Sequence, residues 1–164
     1  MASLDSEVRN VQNPAFGAVV LAAFLQGYYE ADETKQGVPL QYTFLVLPLV
    51  LHSDMYRMLS GTKLGLRHMA EKFVSAEYAG TDLLLSLSGS AVRLRKLTAE
   101  SLAVALYTGL ASMIPNKGRV VPRKVRRFST RPDIPIEAEA SRKLGRWLAH
   151  LSAFEIGSIL KVTF

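Results

Sequence analysis

Seven basic side chains and no acidic one fall within residues 117–131: Lys117, Arg119, Arg123, Lys124, Arg126, Arg127 and Arg131. Phosphate is the natural counter-charge for such a run, because each phosphate neutralised releases condensed counterions and favours binding at low salt. Five arginines against two lysines favour planar, bidentate pairing with phosphate or carboxylate. In a strand-like segment Lys124 and Arg126 share a face, and Arg127 points the other way. These charges suit a double-stranded DNA backbone, but they suit an acidic protein surface or plain solvation equally well. A smaller cluster, Arg93, Arg95 and Lys96, falls at an expected helix C-terminus, where the helix dipole alone accounts for cations.

Other chemistry finds little support. His52, His68 and His150 lie far apart and form no HxxxH or HExxH pattern. The absence of cysteine excludes disulfides, zinc–thiolate centres and thiol nucleophiles. No glycine-rich phosphate loop follows a strand, and the serines of LLSLSGSAV lack the GxSxG spacing of a nucleophile elbow. Asp133, Glu137 and Glu139 surround a helix start, where acids favour the dipole. The residues therefore assign no catalytic group, no cofactor and no metal, and the expectation is a protein that is not an enzyme. The large aromatics Phe16, Tyr28, Tyr29 and Trp147 are candidates for a partner interface, with core packing as the alternative.

The elements that carry these residues follow from charge and apolar spacing. Residues 1–61 hold three basic and six acidic side chains, net −3, whereas residues 62–164 hold 17 and eight, net +9. A polyanion or an acidic partner is thus expected against the C-terminal part. The 16-residue uncharged runs Pro14–Tyr29 and Gln36–Leu51 fall short of the roughly 20 apolar residues of a membrane span and contain Gly, Gln and Pro. They read as buried helices of a soluble, cytoplasmic protein.

Residues 1–12 form a lead-in, with a short helix around Asp5–Val11. Asn13 caps a helix that opens at Pro14 and ends near Ala31, apolar nearly all round. A second helix covers Leu40–Leu51, with Pro48 expected to kink or end it. A short amphipathic helix follows from Ser53 or Asp54, and Thr62 is expected to cap another through Phe73. Residues 13–75 thus form an apolar helical part, and residues 81–164 a basic helical part, within one domain spanning 1–164. The second part is expected to hold helices over Thr81–Lys96 and Ala99–Met113, the latter capped by Thr98. A β-ribbon is expected at 119–128, with strands Arg119–Val121 and Lys124–Phe128, then helices over Glu137–Leu151 and Ala153–Leu160. The fold class is mainly α, a compact single-domain helical protein with a small β-ribbon. Two helices followed by a ribbon is also the outline of a winged helix, here over residues 82–128.

Four stretches, taken in order, resemble one family. They are NPAF at Asn13–Phe16, GYY at Gly27–Tyr29, PLQYTFLVLPLVLH at Pro39–His52 and KLGRWLAHLSAFEIGSILKV at Lys143–Val162. The family is the middle component of three-component ABC systems, a group that includes the small subunit of Lamassu-type anti-phage systems. The resemblance implies a prokaryotic defence operon, with an SMC/Rad50-like coiled-coil ATPase and an effector nuclease as partners. It implies a non-catalytic adaptor that joins the two, and it assigns no role to Lys117–Arg131, whose DNA contact rests on charge. The alternative from another class is a free-standing winged-helix DNA-binding regulator.

Overall fold

Asn13 places its side-chain oxygen 2.9 Å from the Ala15 N–H, and Pro14 occupies the first helical position, so α1 starts where a cap and a fixed φ coincide. The computed structural model describes residues 13–75, 79–123 and 135–164. Helix α1 (Pro14–Ala31) runs through the core, and Val20, Leu21, Phe24 and Leu25 are fully enclosed. Its end is built from two devices. The Asp32 carboxylate accepts from the N–H groups of Thr34 and Gln36, and Lys35, with φ 51, donates through Nζ to the Tyr29 and Glu30 carbonyls.

The strand β1 (Val38–Pro39) leads into α2 (Leu40–Leu51), in which Pro48 lies buried inside the helix rather than ending it. Next come α3 (Ser53–Gly61) and α4 (Leu66–Ser75), whose buried Leu66, Met69, Ala70 and Phe73 form the expected stripe. They are followed by α5 (Ala79–Arg93) and α6 (Arg95–Tyr107), joined by Leu94 alone. A ribbon of β2 (Ala111–Ile114) and β3 (Arg119–Pro122) precedes α7 (Ile136–Leu148) and α8 (Ala153–Leu160). The three strands form an antiparallel sheet in the order β1-β3-β2, with Val38 opposite Val120 and Met113 opposite Val120 on the other side. Helix α1 packs most extensively on α7 and next on α6.

Several boundaries differ from the sequence expectation. Helix α6 stops at Tyr107 instead of Met113, because Gly109 takes φ 77 and closes a Schellman turn. In that turn the Leu110 N–H donates to the Ala105 carbonyl at 2.9 Å and the Gly109 N–H donates to Leu106 at 3.3 Å. Residues 111–114 then form the first ribbon strand, so the ribbon lies nearer the N-terminus than expected, and the proposed strand Lys124–Phe128 lies outside the described residues. The proposed helix at Asp5–Val11 also lies outside them.

Thr98 does not cap α6. It lies inside the helix, fully buried, with no hydrogen-bond partner for its hydroxyl among the described residues. Thr62 likewise follows α3 as a buried residue, and α4 opens only at Leu66. Helix α7 ends at Leu148, three residues early, because Ser152 and Glu155 form a capping box that starts α8.

Candidate functional site

Two of the stretches that carry the family resemblance meet across the α1–α7 crossing. Gly27 and Gly145 face the partner helix's backbone directly. A Cβ on Gly27 would collide with the Arg142 carbonyl oxygen, and one on Gly145 with the Phe24 carbonyl oxygen and, at 2.7 Å, the Tyr28 nitrogen. On the N-terminal side of these contacts along both helices, the buried Ser141 hydroxyl donates to the Val20 carbonyl at 2.8 Å. At the rim, Arg142 donates from Nη2 and Nε to the two Glu30 oxygens at 2.5 and 3.3 Å, and Arg146 lies 3.5 Å from Oε2.

Each residue of Lys143–Trp147 has a different task. Lys143 donates through Nζ to the Leu59 and Ser60 carbonyls at 2.9 and 3.0 Å, capping α3, and lies 5.2 Å above the Trp147 ring. Burial holds its ammonium below the ordinary lysine pKa. Leu144 fills the core, Gly145 admits α1, and Arg146 reaches Glu30. The motif thus builds a helix crossing.

The candidate interface aromatics occupy graded positions. Tyr28 is buried, whereas Phe16, Tyr29 and Trp147 are half-buried, Phe16 and Trp147 against the core and Tyr29 beneath the Lys35 ammonium. A chain of tilted rings, Phe24, Tyr28, Tyr42 and Phe164, leads from the core to a half-exposed Phe164. Burial raises the Tyr28 and Tyr42 phenols above their usual pKa, and the nearby Arg119 guanidinium partly offsets this.

Of the seven basic candidates, Lys117, Arg119 and Arg123 are described, and Lys124, Arg126, Arg127 and Arg131 lie outside the described residues. Lys117 and Arg123 are exposed at the turn and exit of the ribbon. Arg119 is half-buried, and its Nη1 donates to the Gly37 carbonyl at 2.6 Å, tying the ribbon to β1. The ribbon thus presents the exposed Lys117 and Arg123, and the rest of the basic run follows in sequence.

The smaller basic cluster needs a correction. Only Arg93 closes a helix; Arg95 and Lys96 open α6, where the dipole disfavours cations, so the helix-end explanation fails for both. The sequence predicts one helix through to Lys96 because the break at Leu94 has no glycine or proline to announce it.

Among the described residues, no group of His, Cys, Asp and Glu could hold a metal ion, and no helix is long and apolar enough to cross a membrane. The core around α1 is mainly helical, with Val38, Ala111 and Val120 added from the strands. The chain belongs to the family described as ABC-three component (ABC-3C) system Middle Component 3, whose pattern matches residues 1–164. No curated protein and no solved structure matches the chain.

Proposed function

We propose that this chain is a non-catalytic adaptor in an anti-phage defence complex of the Lamassu type. It joins an SMC/Rad50-like ATPase to an effector nuclease, and its basic segment contacts double-stranded DNA. Membership of the middle-component family along residues 1–164 is the observation that carries the reading, since a middle component implies protein partners. The DNA contact is supported by Lys117 and Arg123, both exposed, and by the continuing run of basic residues after them.

Co-expression with the products of the flanking genes, followed by pull-down, tests the adaptor role. A chain that purifies alone in the presence of the ATPase would sink it. The DNA contact is tested within the complex: reversing Arg123, Arg126 and Arg127 to Glu should weaken binding to duplex DNA and flatten its salt dependence. The order of α5, α6 and ribbon favours a second reading, a free-standing winged-helix regulator. That reading requires sequence-preferring DNA binding by the isolated chain.

A further inference from the structure

Thr98, Ser101, Leu102 and Ala105 form the buried side of α6, and Ala99, Ala103 and Tyr107 are exposed on the other. Tyr107 ends the helix and, at 93%, is the most exposed large hydrophobic side chain among the described residues. No aromatic ring pairs with it there, no cation lies over it, and it takes no part in the core. The backbone just beyond it is well tied. The Thr108 hydroxyl donates to the Val104 carbonyl at 2.7 Å, and the turn closed by Gly109 follows at once. The ring therefore stands on an anchored helix end with its faces open to solvent.

Charge says what the ring can meet. No acidic residue occurs between Glu100 and Asp133, and that stretch holds the whole basic run. Arg123 is exposed, its N–H donates to the Leu110 carbonyl at 3.1 Å, and its Nη1 lies 3.7 Å from where a Cβ on Gly109 would stand. The guanidinium thus lies over the turn that directly follows Tyr107. None of the ion pairs among the described residues involves it. Phe154, the other strongly exposed ring at 84%, has Glu155 beside it in α8 and lacks this setting. An open aromatic ring beside an arginine is how single strands are held: bases stack on the ring and phosphates meet the cation. A fully paired duplex would satisfy the cations and leave the ring without a partner, because its bases are already stacked on one another.

We propose that Tyr107 and Arg123 form a stacking site for an unpaired nucleobase, the ring taking the base and the guanidinium the phosphate next to it. The inference rests on the DNA contact of the proposed function and adds to it a preference for DNA that offers an unstacked base.

The experiment uses the full chain at low salt, alone and with the ATPase encoded beside it. Two duplexes are compared that differ only in one bulged 2-aminopurine. The variants are Tyr107→Ala, Tyr107→Phe and Arg123→Glu, each checked for an unchanged thermal midpoint. The unmodified chain should bind the bulged duplex more tightly than the paired one and quench the probe. Tyr107→Ala should lose about tenfold in affinity for the bulged duplex, together with the quenching, and should bind the paired duplex unchanged. Tyr107→Phe should keep both the affinity and the quenching, and Arg123→Glu should weaken binding to both duplexes. Equal affinity for the two duplexes, or quenching that survives in Tyr107→Ala, overturns the site and leaves the DNA contact standing. A photo-crosslinking residue at position 107 that labels a protein and not the oligonucleotide also overturns it. Failure of the unmodified chain to bind either duplex, alone or with the ATPase, removes the DNA contact and this site with it.

Discussion

The α1–α7 crossing and the outer face of α5–α6 are written in a similar alphabet. Both place glycine, alanine and aliphatic residues on helices at intervals of three and four, yet one is closed to the point of backbone contact and the other lies open. Helical spacing therefore says that a face is apolar, and only the fold says whether this chain covers it. The covered face also has a neutral, buried hydrogen bond, Ser141 to Val20, whereas the open one has the exposed cations Arg93, Arg95 and Lys96.

Substitutions can break or sharpen this contrast. The largest effect is expected at Phe24, fully enclosed on α1, where Phe24→Ala should cost about 4 kcal/mol in urea denaturation. Gly145→Ala should cost about 3 kcal/mol despite adding one methyl group, because the carbonyl and N–H it meets belong to a helix backbone. A neutral result there would mean that the two helices are not held at glycine distance. Ser141→Ala should cost about 1 kcal/mol through the lost hydrogen bond to Val20.

A smaller effect comes from pH. The Tyr28 phenol keeps its proton in the folded chain above its ordinary value of 10.0, while the unfolded chain releases it. Stability should therefore hold below about pH 10 and fall above it, with a shallower fall in Tyr28→Phe, as read from urea midpoints between about pH 8 and 11. On the open face, exposed Ala103 changed to Glu should alter stability by no more than about 0.5 kcal/mol in the same urea measurement. Destabilisation there comparable to Gly145→Ala would show that the two faces are not different in kind.

Much of the helical frame was legible because its signals are local. Asn13-Pro14 announces α1, and Leu66, Met69, Ala70 and Phe73 define α4 by spacing alone. The end of α6 was misread because Leu110 and Met113 continue its apolar period beyond the turn that Gly109 closes. The two-residue strand β1 had no signal of its own; it exists because β3 runs beside it. The same holds at the candidate site. Composition exposes the basic run, but the inward commitment of Arg119 depends on the Gly37 carbonyl, 82 residues away in the chain. The exposure of Leu85 and Val92 on α5 has no local signal either, because it is a property of the assembled molecule.

The α1–α7 crossing also sets a timetable. Ser141 and Val20 are 121 residues apart, so α1 leaves the ribosome long before the helix that covers it has been made. At roughly 5–20 residues per second this leaves a nearly all-apolar helix without its main packing partner for on the order of 10 s. During that interval α1 is a natural client for a nascent-chain chaperone. Yield of the full-length chain should therefore depend on translation speed and chaperone supply more than its finished stability suggests.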